Sequence, residues 1–471
     1  MSSLPRPVTF AELQASGYRS RSVREEMREN LLAVLAGEEG ASSIFSGILG
    51  YDETVIPEIE NAVLSGHHIV LLGERGQAKT RIIRALVNLL DEAVPAIAGC
   101  EIHDDPFAPV CASCRRRVAA EGGDLPIVWI GRDHRYGEKL ATPDVTTADL
   151  IGEIDPIKIA EGRYLADEEA IHFGIVARTH RGIFAINELP DLTEKVQVGL
   201  FNLMEERDLQ IKGHKIRLPL DVVVVATANP EDYTSRGRIV TPLKDRFDVQ
   251  IRTHYPRTLD HEIAIMEQEV PTSERSGRPV RVPDFMKEII ARTTMEARKA
   301  PEVNQSSGVS VRVSINNYET LLANAEKRAV RCGESEVVPR ISDLHALFAS
   351  TNGKLELEYG LDSAKEAAVV DRLLSVAIKG AFEARLSSAQ LQPVLEYMGQ
   401  GWGVAVSDTM PAADYLEGLS SISGLREVIE HLGPFESPGL TAAAIEFVFE
   451  GLHLLKKLNR ERQGGRLSYA A

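Results

Sequence analysis

The chain has 471 residues, 44% of them hydrophobic, enough for two or three domains with buried cores. Its 53 lysines and arginines against 69 aspartates and glutamates leave a formal charge of −16, which disfavours broad nonspecific binding to DNA or anionic membranes but leaves room for a local basic groove. No apolar run reaches membrane-spanning length and MSSLPRPVTF has no signal-peptide core, so a cytoplasmic protein is expected, its four cysteines thiols or metal ligands.

Residues 1–45 read as a helical lead-in, with VREEMRENLLAVL from Val23 to Leu35 mixing charged and apolar positions. Gly50 and Tyr51 lie in a turn before a helix-like run, Val55 to Leu64. From Ile69 to Leu72 a short branched apolar run has the form of a buried strand. It breaks into Gly73-Glu74-Arg75-Gly76-Gln77-Ala78-Lys79-Thr80, and then Ile82, Ile83, Leu86 and Leu90 follow at helical spacing. Strand, glycine loop and helix in that order can surround phosphates with backbone N–H groups and a helix N-terminus. Lys79 adds a point charge and Thr80 a hydroxyl for Mg²⁺. The usual glycine before the lysine is Ala78 here.

Residues 91–125 form an insertion containing CEIHDDPFAPVCASCRRR. Cys100, His103, Cys111 and Cys114 are spaced C-x2-H-x7-C-x2-C, which can close a tetrahedral Zn²⁺ site; the alternative is ordinary thiols in a loop. Cys332, far away in a helical region, reads as an inert thiol. LPIVWI, Leu125 to Ile130, predicts a second buried strand, and 131–182 predicts loops and short helices.

IFAI, Ile183 to Ile186, predicts a third strand, followed at once by Asn187 and Glu188. A carboxylate at a strand's C-terminal end facing a phosphate loop can polarise an attacking water; an acid favoured by a helix dipole is the plainer alternative. Where aspartate usually helps to hold Mg²⁺, Asn187 brings no charge, so slow turnover is expected and Asn187→Asp is expected to strengthen Mg²⁺ use. An amphipathic helix runs on to Arg207, and LQIKGHKIRL, Leu209 to Leu218, alternates as a hairpin does. Val222 to Val225 predicts the fourth strand, ending near Asn229, a residue able to orient water. Arg246 precedes a fifth strand, Val249 to Arg252. It could reach a neighbouring subunit's γ-phosphate, or simply pair with Asp245 or Asp248. Beyond Tyr255 the strand signals stop, helical patterns run to Arg460, and QGGRLSYAA reads as a frayed tail.

GERGQAKT, IFAINE, VVATANP, PLKDRF and GVSVRVS, in this order across about residues 45–345, resemble the AAA+ ATPases of the MoxR and magnesium-chelatase I-subunit group. The resemblance implies an α/β core at 46–256 with a five-stranded parallel sheet, interrupted at 91–125 and by a further insertion near 145–180. A helical lid at 257–350 and a helical extension at 351–471 follow. It implies ATP and Mg²⁺ as cofactors, with Gly73, Glu74, Arg75, Gly76, Gln77, Ala78, Lys79 and Thr80 on the phosphates and Gly50 and Tyr51 at the adenine. Glu188 matches the general base, Asn187 the Mg²⁺-associated position, Asn229 the first sensor, Arg246 a finger acting in trans and Arg312 the lid sensor. It also implies a homo-oligomer, typically a hexameric ring, working with a von Willebrand factor A domain partner. The expected activity is ATP hydrolysis driving a chaperone or metal-insertion motor. A magnesium-chelatase motor subunit and a non-catalytic nucleotide-dependent scaffold are the alternatives, and a nucleic-acid motor is disfavoured by the acidic balance.

Overall fold

The computed structural model describes the chain except for residues 1–5, 38–43, 161–169, 207–208, 212–213, 217, 231–237, 305–307, 357–362, 408, 420 and 464–465. It divides into two compact units, Met1–His254 and Tyr255–Ala471.

In the first unit, α1 (Val23–Leu35) and α2 (Val55–Leu64) precede β1 (Ile69–Leu72) and α3 (Lys79–Ala85). An insertion carries β2 (Ala93–Ile97), α4 (Ala112–Glu121) and β3 (Ile127–Gly131). Then come β4 (Tyr136–Leu140), β5 (Gly182–Asn187), α5 (Glu194–Glu206), the β6 (Leu209–Ile211) and β7 (His214–Ile216) hairpin, β8 (Val222–Ala228) and β9 (Val249–Arg252). Five of these strands form one parallel sheet in the order β9-β1-β8-β5-β4.

Both faces of that sheet are covered, which is why its central strands are unbroken apolar runs. Successive side chains point to opposite faces. Val70, Phe184, Ile186, Val222, Val224 and Ala226 enter one core, while Ile69, Leu71, Ile183, Ala185, Val223 and Val225 enter the other.

The five-stranded parallel sheet is as expected, but one member is not. LPIVWI supplies β3, which pairs antiparallel with β2 outside the main sheet, Val94 opposite Ile130, and is only partly buried. The edge position belongs to β4, YGEKL, in the stretch expected to hold loops and short helices; Gly137 registers with Phe184 and Leu140 with Asn187. An edge strand needs no continuous apolar run, so its pattern is weak. The rest of that stretch contains short helices and a small antiparallel pair, Gly152–Ile154 with Ile171–Phe173.

The N-terminal helix α1 is tied into this unit by a buried ion pair. Glu26 and Arg135 are 3% and 1% exposed, with Arg135 Nη1 2.8 Å from Glu26 Oε1 and Nη2 2.5 Å from Oε2. Arg135 Nε also donates to the Arg181 carbonyl at 2.7 Å, and Asp91 N–H donates to Glu26 at 2.6 Å. Removing either partner strands a buried charge, at a cost of about 3–5 kcal/mol.

The second unit gathers α6 (Asp284–Ala297), α7 (Arg312–Cys332), α8 (Ser363–Glu383) and α9 (Pro438–Leu454) around one hydrophobic core that spans both 257–350 and 351–471. Phe285 stacks on Phe447 at 4.3 Å and Phe382 meets Phe447 edge-on at 5.5 Å. The unit is not wholly helical: β10 (Gly403–Ser407), β11 (Asn459–Gln463) and β12 (Arg466–Ala470) form an antiparallel sheet. Arg466–Ala470 of the expected frayed tail is therefore a strand. Tyr469 is fully buried there and donates to Glu450 Oε2 at 2.6 Å, while Arg460 pairs with Glu450 Oε1 at 2.6 Å. Among the described residues no helix is long and apolar enough to cross a membrane.

Candidate active site

β1 ends at Leu72 and the chain turns into α3, which begins at Lys79. A Cβ on Gly73 would fall 1.9 Å from Thr253 Oγ1 and 2.2 Å from Gln77 Oε1, so this position is confined to glycine. Ala78 adopts φ 56°, where glycine would sit without strain and alanine costs roughly 1–2 kcal/mol. The Gln77 side chain holds the loop by accepting from Glu74 N–H at 3.1 Å and Thr253 Oγ1 at 2.7 Å. Lys79 is buried, and its ammonium donates to the Gly73 carbonyl, to the Glu74 carbonyl at 2.8 Å and to Asn229 Oδ1 at 2.9 Å.

The C-terminal ends of β5 and β8 bring the remaining polar groups to this loop. Asn229 Nδ2 donates to Glu188 Oε2 at 2.9 Å, so one amide links the Lys79 ammonium to the Glu188 carboxylate. Glu188 sits at φ 57°, just past the strand, with its N–H held by Thr227 Oγ1 at 2.9 Å. A non-glycine residue in this region is strained by about 1–3 kcal/mol, a cost met at sites that must aim one side chain.

Asn187 lies between two partners. Its Oδ1 accepts from Thr80 Oγ1 at 3.2 Å, and its Nδ2 donates to Glu138 Oε1 at 2.7 Å. Arg84 binds both Glu138 oxygens, at 2.9 and 3.0 Å, and the Tyr136 hydroxyl donates to Oε2 at 3.0 Å. Burial opposes the Glu138 charge, but the bonds from Arg84 and Tyr136 outweigh it and hold the carboxyl below its usual range. Glu138 was missed in the sequence. Its only signal is the alternation Tyr136, Glu138, Leu140 on one face of a weak strand.

A buried lysine, a hydroxyl, a carboxylate and a bridging amide around a glycine loop can bind and activate a phosphoryl group. Residues 132–247, from just before β4 through Asn187, Glu188, Asn229 and Arg246, match the family model described as AAA domain (dynein-related subfamily). Magnesium-chelatase subunit ChlI of Nostoc sp. is 27% identical over 285 residues, covering 57% of this chain and 70% of that protein. A ChlI homolog of Methanocaldococcus jannaschii is 28% identical over 214 residues, covering 44% of this chain and 53% of its own. The complex between subunits BchI and BchD of magnesium chelatase, from single-particle cryo-EM, overlays at 21% identity and TM-score 0.36, covering 70% of this chain and 98% of that one, too loosely to bear on function.

The chain carries the AAA+ fold and is related to the I-subunit ATPases of magnesium chelatase.

Other residues of this AAA+ chain fall as follows. Tyr51 is 4% exposed, its hydroxyl 2.7 Å from the His254 carbonyl and 3.0 Å from the Gln77 carbonyl, and burial pushes its phenol up to about 12. It therefore ties the loop to the end of β9, after Gly50 has turned the chain at φ 81°. Arg75 is exposed on the loop. Arg246 is half-buried, paired with Glu205 and 3.8 Å from Asp245, with its guanidinium 5.4 Å over the Phe201 ring. Asp248 instead accepts from the His68 N–H at 2.8 Å. Arg312 is exposed at the first position of α7, in the second unit.

In the insertion, Cys100, Cys111 and Cys114 converge, but the fourth residue beside them is Asp104, not His103. One ligand atom from each of these four lies within 4.8 Å of the others. His103, the residue before Asp104, takes a left-handed φ of 55°. Asp104 is fully buried and accepts from Val110 N–H at 2.9 Å and Cys111 N–H at 2.9 Å; burial raises its carboxyl to about 7 despite these bonds. Hydrogen bonds from the Cys111 and Cys114 thiols draw the Cys100 thiol below its usual range.

Proposed function

We propose that this chain hydrolyses ATP with Mg²⁺ and works as a ring-forming motor that remodels, or delivers metal to, a partner protein. The observation that supports the reading is the hydrogen-bonded chain Lys79–Asn229–Glu188, which joins the lysine assigned here to the phosphates with the carboxylate assigned here as base. Lys79 turns its donors from the Gly73 and Glu74 carbonyls to the β- and γ-phosphates, Glu188 takes the proton of the attacking water, and Asn229 orients that water. Arg246 of the adjacent protomer completes the site, and Arg312 reads the nucleotide from the lid. A von Willebrand factor A domain protein is the proposed partner and a hexamer the proposed ring. The names of the chelatase relatives support a second reading, the motor subunit of a metal chelatase.

Lys79→Ala tests the binding half of this proposal. Loss of charge-assisted bonds worth about 1.5–3 kcal/mol predicts roughly ten- to hundredfold weaker ATP binding by fluorescent-nucleotide titration. Unchanged affinity would overturn it.

The donors present suit Mg²⁺: the Thr80 hydroxyl and the Asn187 amide oxygen are both hard oxygens, 3.2 Å apart. Thr80 and Asn187 would hold the ion, which would supply positive charge against the β- and γ-phosphates. Glu138 changes what an acid at position 187 would do. Asn187→Asp alone would lose the Nδ2 donor and set two carboxyls in hydrogen-bond contact, so one would hold a proton. The single variant is expected not to lower the Mg²⁺ concentration needed for half-maximal ATP binding. Pairing it with Glu138→Gln, whose amide can donate to Asp, is expected to lower that concentration roughly tenfold, as one added charge-assisted contact of ~1.5 kcal/mol requires. A gain in the single variant equal to that in the double would refute the role given to Glu138.

A further inference from the structure

We infer that the insertion holds one structural Zn²⁺ ion on Cys100, Asp104, Cys111 and Cys114. Nothing in the nucleotide chemistry uses these residues, yet three sulfurs and a carboxylate oxygen converge within 4.8 Å. A tetrahedral Zn²⁺ with thiolate bonds near 2.3 Å separates its ligand atoms by about 3.5–3.8 Å, so the cluster needs only a small contraction to close. Soft thiolates select Zn²⁺ over Mg²⁺ or Ca²⁺.

The surroundings suit an anionic ligand set. Cys111 caps the N-terminus of the ten-residue helix α4, its sulfur 3.3 Å from the Cys114 N–H, and a helix N-terminus favours thiolate. The Asp104 carboxylate is already oriented by the Val110 and Cys111 N–H groups, the outer-shell bonding that fixes a ligand's direction, and its oxygens keep lone pairs for a metal. A pocket beside the thiols, lined by Ile102, Arg117, Lys158 and Phe173, gives the ion a way in. As Zn²⁺ binds, the thiol protons leave to solvent and three sulfur–metal bonds replace the shared-proton contacts. The ion then staples the loop from Cys100 to Cys114 onto the apolar core that Ile102, Cys111, Cys114 and Leu125 share.

The test is elemental analysis and cobalt titration of the full chain. One equivalent of zinc per chain is expected as purified, kept in His103→Ala and lost in Asp104→Ala and Cys111→Ser. Chelator-stripped wild type should melt at lower temperature and, on adding Co²⁺, show a thiolate-to-cobalt charge-transfer band; this second readout stands even if the cysteine variant fails to fold. Metal-free wild type that takes up neither Zn²⁺ nor Co²⁺ would overturn the inference. Loss of the metal in His103→Ala, with retention in Asp104→Ala, would overturn the ligand set.

Discussion

Replacing Glu188 with Gln is expected to cut phosphate release by about 10²–10⁴-fold, the share of a positioned general base, while ATP still binds. The substitution is nearly isosteric. The strained φ of 57° and the bond from Thr227 to the Glu188 N–H are backbone features that Gln inherits. Its amide oxygen can still accept from Asn229. What disappears is basicity, so binding and turnover should separate. A coupled-enzyme assay beside nucleotide titration measures both. A variant that binds ATP and hydrolyses it at the wild-type rate would remove Glu188 from the base role, and one that fails to bind would place it in structure instead.

Arg246→Ala is expected to cost about 10³–10⁵ in turnover, the range for a residue that stabilises charge on a transferring phosphoryl group. The risk is that Arg246 matters only to the fold, because it pairs with Glu205 and lies over Phe201. Two further variants separate these roles. Glu205→Ala removes the pairing but leaves the guanidinium, and should retain most activity. Arg246→Lys keeps the charge but loses the planar fork, and should remain impaired. Mixing Arg246→Ala with Glu188→Gln protomers should recover activity at junctions where an intact Arg246 faces an intact Glu188. If the mixture shows no recovery although both variants assemble, the arginine does not act across a subunit boundary.

The central sheet was legible because parallel strands buried on both faces leave unbroken apolar runs, as at Ile69–Leu72, Ile183–Ile186 and Val222–Val225. The glycine loop and the residues ending β5 and β8 could be read for the same reason, since they follow directly from such runs. Edges could not. β4 is half exposed and reads YGEKL, whereas the more apolar β3 pairs with β2 outside the sheet. Glu138 was hidden with β4, although its bond to Asn187 decides how that asparagine behaves. In the C-terminal sheet, β12 alternates small, polar and apolar residues, so the burial of Tyr469 under Glu450 leaves no local trace. The cysteine spacing located a thiol cluster, but spacing alone does not separate His103 from its neighbour Asp104, which is the residue beside the three thiols.

The most direct test of the account is steady-state phosphate release by the wild-type chain at saturating ATP and Mg²⁺, at concentrations that permit assembly. The account predicts Mg²⁺-dependent turnover that rises with protein concentration as protomers meet and that vanishes in Glu188→Gln. An assembled wild type that binds ATP and releases no phosphate would contradict it and leave a nucleotide-dependent scaffold.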